Sequence, residues 1–187
     1  INGQWYVFYH RMTNHSIMSR RACVERIEIL PDGTIPPVEM TSLGFEDSLN
    51  PYELTPAEIA CVLKGEGYII EKDAFTRVIT NIKADNVIGY KYFDFGQDYG
   101  TKTMILALQI KGTGSNSIVH VHIDTEDGPE IGSGEVGLSD GVYKIRCEAV
   151  TGRHALYLVT ELPVKGWTRA FFEEKTLFEL QAFTFFK

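Results

Sequence analysis

A chain of 187 residues can bury one good hydrophobic core, or one domain plus a fragment. Its 44% hydrophobic content with 12% aromatics is ordinary for a globular protein and excludes a disordered one. A formal net charge of −7 and an isoelectric point near 5.2 exclude a nucleic-acid backbone as partner and suit a neutral ligand. No apolar run approaches the roughly 20 residues of a membrane helix.

Taken in chain order, almost every segment predicts a strand. Trp5 to His10 is aromatic and β-branched, which suits a pleated surface. Val24 to Leu30 alternates apolar with charged residues, and Pro31-Asp32-Gly33 is a tight-turn signal leading into Ile35 to Met40. That pattern predicts a hairpin over 24–40. Residues 43–55 carry Gly44, Asn50 and Pro51 with acidic residues and no periodicity, and predict a linker.

Beyond it, strands are predicted at Glu58–Leu63, Val87–Phe95, Met104–Lys111, Ile118–Asp124, Tyr143–Ala149, Ala155–Thr160 and Phe178–Phe186. Turn signals separate them at Gly96–Gly100, Gly112–Gly114, Asp127–Pro129, Ser139–Gly141 and Thr151-Gly152. Many short strands at this spacing predict an antiparallel β-sandwich, and no segment holds a 3.6-residue apolar period.

Two resemblances follow from these stretches. The opening NGQWYVFYHR and SRRACVERIEILPDGTIPPVEMTS are similar to the closing blade of the five-bladed propeller of family 43 glycoside hydrolases. The runs VIGYKYFDFG, LALQIKGTGSNSIVHVHID, GRHALYLV and FELQAFTFF resemble family 6 carbohydrate-binding modules over roughly residues 56–187. Together they imply an all-β chain: a partial propeller blade over 1–42, a linker over 43–55, and a jelly-roll-like sandwich over 56–187. They imply a chain beginning within the propeller of a parent enzyme that removes arabinofuranosyl or xylosyl units by inversion. The family's catalytic carboxylates lie on blades absent here, so the resemblance implies an inactive ancillary part. That part would support the propeller and bind xylan or arabinan, in a secreted or periplasmic setting. The alternative is a purely structural module with no glycan site.

Candidate residues divide by chemistry. Glu25 and Glu28 sit at odd spacing on a predicted strand, hence on opposite faces, and cannot act on one bond as acid and base; both are expected at the surface. His10 matches a family histidine near a cation in the propeller channel, a role implied only for the intact propeller. Arg20 or Arg21 would border the active-site mouth. His120 and His122 share one strand face, where two imidazoles can bind a transition metal, and Val119, Val121 and Ile123 then face the core; the resemblance implies instead a sheet face used by some such modules as a glycan cleft, where the two histidines would hydrogen-bond sugar hydroxyls.

The segment 161–176 holds Trp167, Phe171 and Phe172 in a polar context. It predicts either a sugar platform or, preferred here, a buried contact with a neighbouring domain. Tyr143 lies near another family binding aromatic. Many such modules hold a structural calcium, and Glu58 with Glu179 (or Gln181) are the nearest matches, Cys61 standing where one acid is expected. Cys23, Cys61 and Cys147 are too few and scattered for a disulfide framework or zinc site, and read as small hydrophobes.

Overall fold

The computed structural model describes residues 1, 3–98 and 100–187, so Asn2 of the opening motif and Tyr99 of the 96–100 turn lie outside it. Two strands open the chain: β1 (Trp5–Thr13) and β2 (Ser16–Ile27), antiparallel, with Tyr9 opposite Cys23. Between them Asn14 and His15 both adopt positive φ, 55° and 48°, the conformation a tight two-residue hairpin turn requires.

The hairpin predicted over 24–40 does not form. Its turn does: Leu30 and Gly33 amides bond across it, and Asp32 accepts the Thr34 amide and hydroxyl. Ile35–Met40 forms no strand, however, and Val24 pairs with Phe8 instead. Pro36 and Pro37 explain this, because two successive residues without an N–H cannot hold a ladder.

The segment predicted as a linker is laid along the sandwich rather than left free. Ser42 donates to the Lys91 carbonyl at 2.8 Å, Leu49 to Tyr92 at 2.8 Å, and Pro51 accepts from Phe185 at 2.8 Å.

The remaining strands are β3 (Thr55–Pro56), β4 (Val62–Lys64), β5 (Tyr68–Glu71), β6 (Arg77–Ile82), β7 (Val87–Asp94) and β8 (Thr103–Gly112). After these come β9 (Ser117–Ile123), β10 (Glu130–Val136), β11 (Gly141–Glu148), β12 (Arg153–Glu161) and β13 (Phe178–Phe186). The strand predicted at Glu58–Leu63 is a 3-10 turn, Ala57–Ile59, followed by the short β4. Strands β3, β5, β6 and β10 are not among the predicted ones.

Hydrogen bonding runs in the order β4-β7-β12-β9-β10-β11-β8-β13-β6-β5, with β3 paired to β13. The ribbon folds into two layers where β10 meets β11 at a single residue pair, Gly132 opposite Cys147. A Cβ at Gly132 would lie 2.4 Å from the Arg146 carbonyl oxygen, so glycine permits the corner. The all-β expectation therefore holds.

Aromatics fill the space between the layers. Tyr90 meets Phe183 edge-on at 4.7 Å and Phe95 meets Phe185 at 5.3 Å. The fully buried Tyr90 hydroxyl donates to the Ala57 carbonyl at 3.0 Å, which satisfies it. Cys61 and Cys147 are buried as expected, Cys23 only half-buried, and burial pushes the Cys147 thiol up to about 12.

The hairpin docks on the sandwich through two arginines that face each other across it, Arg11 and Arg21. Arg11 donates to the Ala60 and Cys61 carbonyls at 2.9 and 3.1 Å; Arg21 donates to those of Glu58 and Ala60. Asn14 extends the seat, giving its amide to Ile69 and accepting that of Glu71. Glu25, expected at the surface, is 5% exposed. It accepts from the Tyr9 hydroxyl and from the Thr41 amide and hydroxyl, so three donors replace its water.

Candidate functional site

Strand β12 ends at Glu161 and β13 begins at Phe178; between them lies a 3-10 turn, Gly166–Phe171. The turn is fixed from below. Phe172 packs against the core, Arg169 reaches Asp85 at 3.3 Å and Glu173 at 3.5 Å, and Lys83 meets Glu174 at 2.6 Å. On this base Trp167 is 79% exposed and Phe171 62% exposed, their rings 5.8 Å apart and nearly perpendicular at 82°. The preferred expectation for Trp167, a buried contact with a neighbouring domain, is not met by the N-terminal strands, which leave its ring exposed. The hairpin seats on residues 58–61 and 69–71, and Leu162, Val164, Phe172 and Leu177 supply the core contacts of the β12–β13 segment. A groove of about 480 Å³ beside the loop is lined by Glu66, Lys83, Asp85, Asn86, Arg169 and Glu174, among others.

Tyr143 is differently disposed. It points inward with Ile145 and Cys147, half-buried, and its hydroxyl accepts from the Ser139 amide and donates to the Ser139 carbonyl, both at 2.8 Å. That hydroxyl is committed to its own turn.

His120 and His122 lie on the outer face of β9, and Val119, Val121 and Ile123 face the core, as the alternation requires. His120 bridges two carboxylates, Nδ1 to Glu130 at 3.2 Å and Nε2 to Glu161 at 2.9 Å. His122 donates Nδ1–H to the Gly128 carbonyl at 2.9 Å, and the two rings stand 6.4 Å apart. Sequence reasoning missed Tyr157, which shares this face one strand away, directly opposite His122. Its outward position follows from the buried Leu156 and Leu158 on either side.

Among the described residues no group of three or more His, Cys, Asp or Glu side chains is arranged to hold a metal ion. His10 is exposed on the hairpin, opposite Ala22. Glu58 faces Arg77 at 3.9 Å, and Glu179 accepts from Lys72 and Thr80, both at 2.8 Å. Burial alone would raise the Glu179 carboxyl, but the Lys72 and Thr80 bonds outweigh it and hold it below its ordinary value. This donor set does not fit calcium, which at either carboxylate would have to displace a cation.

The same fold is known in longer and shorter proteins. A Bacillus subtilis family 43 arabinoxylan arabinofuranohydrolase, solved with cellotetraose, aligns with 98% of this chain and 39% of its own at TM-score 0.61 and 21% identity. A family 6 carbohydrate-binding module from Clostridium cellulolyticum, solved with xylose, aligns over its full length with 74% of this chain at TM-score 0.58 and 19% identity. The sandwich has the fold of a family 6 carbohydrate-binding module. A β-1,3-glucan-binding module from Bacillus halodurans agrees, at TM-score 0.57 and 18% identity over 75% of this chain.

In sequence, an alignment of 116 residues that covers 50% of this chain is 40% identical to a xylosidase/arabinosidase of Thermoclostridium stercorarium. The match spans 24% of that relative. No family model matches the chain. Module and hairpin together have a structural counterpart in the Bacillus subtilis arabinofuranohydrolase, because the alignment there extends over nearly the whole chain.

Proposed function

We propose that this chain is the ancillary part of a hemicellulose-degrading glycoside hydrolase that removes arabinofuranosyl or xylosyl units by inversion. In this reading residues 1–42 close the parent's propeller, 43–55 connect, and 56–187 form a module that binds xylan or arabinan. The hairpin's apolar, exposed Trp5, Phe8, Met12 and Met18 fit a neighbouring β-layer of that parent.

One observation carries the glycan reading: Trp167 stands 79% exposed on a turn that ion pairs and the partly buried Phe172 hold in place. A large exposed aromatic on a fixed base offers a flat face to sugar C–H groups, with little ordering cost on binding. Phe171, set at 82° to it, makes a wall to that floor. Lys83, Asp85 and Arg169 in the adjoining groove supply donors and acceptors for hydroxyls.

Affinity electrophoresis against xylan and arabinan tests this. The native chain should be retarded, and Trp167→Ala should lose retardation while its stability changes by no more than about 0.5 kcal/mol, as for an exposed site. Equal migration of the two proteins would sink the reading. The purely structural alternative draws on Tyr143, whose hydroxyl is already consumed by Ser139; it requires no retardation of either protein.

A further inference from the structure

The groove beside the Trp167 loop joins three segments: the β4–β5 turn at Gly65 and Glu66, the β6–β7 turn at residues 83–86, and the loop itself at Arg169, Glu173 and Glu174. Its volume of about 480 Å³ falls in the range of small-ligand sites, roughly 300–1,000 Å³. Asn86 lines it and is 2% exposed. The Asn86 backbone amide donates to the Thr160 hydroxyl at 3.0 Å, and its Oδ1 accepts the Glu66 amide at 3.3 Å, but Nδ2 has no partner. Two glycines close on this side chain: a Cβ at Gly65 would lie 2.3 Å from Oδ1, and one at Gly67 2.9 Å from Nδ2. The amide is thus preset. A buried N–H without an acceptor is a place for an oxygen from outside the chain.

The wall also has a sign. Glu66, Asp85, Glu173 and Glu174 outnumber Lys83 and Arg169, and both cations are already claimed. Lys83 Nζ lies 2.6 Å from Glu174, and Arg169 lies 3.3 Å from Asp85 and 3.5 Å from Glu173. Lys175 rests on the Phe172 ring at 4.7 Å, and neither it nor Lys165 forms part of the wall. An anion entering the groove would have to displace a carboxylate to reach either cation, against a net negative field. A neutral hydroxyl meets no such barrier. It can bond to the paired carboxylates and cations as they stand, and it offers the oxygen that Asn86 Nδ2 lacks.

We infer that this groove receives a side branch of a polysaccharide whose main chain lies on Trp167, and that it selects a neutral pentose branch over a uronate-bearing one. The selection rests on the glycan-binding reading of the Trp167 loop and specifies which decorated xylan is held. Asp85, Glu173 and Glu174 are solvent-exposed, so salt screens it.

Calorimetry on the native chain tests this with three ligands: xylohexaose, xylohexaose with one arabinofuranosyl branch, and xylohexaose with one methylglucuronosyl branch. At low salt the arabinofuranosyl form should bind about three- to tenfold more tightly than the glucuronosyl form, the scale of two net charges at a wet surface. High salt should bring that ratio below about twofold. Glu66→Gln combined with Glu174→Gln should do the same at low salt, because it removes two exposed carboxylates and frees Lys83. Unbranched xylohexaose should bind about threefold or more weakly than the arabinofuranosyl form, the scale of one hydrogen bond. Equal affinity for these two overturns the branch pocket, and a uronate held as tightly as arabinose at low salt overturns the selection. Binding of none of the three overturns the glycan-binding reading and the groove with it, whereas binding of all three alike sinks the groove alone.

Discussion

Glu39 joins two parts of the molecule with one carboxylate. It accepts from Lys91 Nζ at 2.7 Å and from the Tyr92 hydroxyl at 2.9 Å, and so pins the segment after Pro37 to β7. Burial alone would raise its carboxyl, but these partners hold it below the ordinary 4.5, as Lys72 and Thr80 do for Glu179. A carboxyl depressed in the folded state stabilises above its unfolded value, and that contribution fades as pH falls through the folded one. Melting temperature should therefore be flat from neutral pH to about 5 and drop below it. Glu39→Gln should shrink that acid-side drop, and an unchanged profile in this variant would refute the assignment. Residue by residue, the sequence disclosed what alternation alone decides: His120 and His122 out, Val119 and Val121 in. It did not disclose that Glu25 is buried, because its partner Thr41 lies sixteen positions on and is brought near only by the chain's return. Nor did it show Tyr143 bonding its own turn, which depends on the backbone geometry at Ser139.

At the scale of elements, strands with β-branched, alternating faces were legible, and those with special backbone needs were not. β7, β8, β9, β12 and β13 fall close to their predicted bounds. β10 carries Gly132 and Gly134 where strand formers are expected, and its sequence reads as loop until the corner it must turn is known. β6, Arg77–Ile82, is rich in β-branched residues and carries a local strand signal of its own. The opening hairpin shows two local signals in competition. Asp32-Gly33 makes a good turn, yet Pro36-Pro37 denies it a partner strand, while the weaker Asn14-His15 turn joins two uninterrupted ones. Arg21, with Arg11 and Asn14, seats that hairpin. Bonds from charged donors are worth about 1.5–3 kcal/mol each. Arg21→Met should thus speed amide hydrogen exchange across residues 5–27 by more than about tenfold, leaving β8 and β13 protected. Uniform acceleration throughout the chain would mean that hairpin and sandwich unfold together instead.

For the whole molecule, the chemistry expected of this chain alone is binding without turnover. Inverting hydrolysis needs an acid and a base held about 6.5–9.5 Å apart with room for water. Glu25, the carboxylate of the hairpin, is turned into the fold, where it accepts from the Tyr9 hydroxyl and from the Thr41 amide and hydroxyl. Aryl arabinofuranoside and aryl xyloside should accordingly stay intact in its presence; release of the aryl group above the buffer rate would contradict the ancillary reading.

The segment between hairpin and sandwich has a mechanical consequence. A module on a loose tether sweeps a sphere and raises only the local concentration of its polymer. Here Thr41 is bound to the hairpin, and the next residue, Ser42, to the sandwich, with Leu49 and Pro51 fastened further along. There is no slack for a sweep. A sugar chain resting on Trp167 would sit at one bearing from the hairpin, and any catalytic centre built onto that hairpin would address it at one set span, as a caliper does.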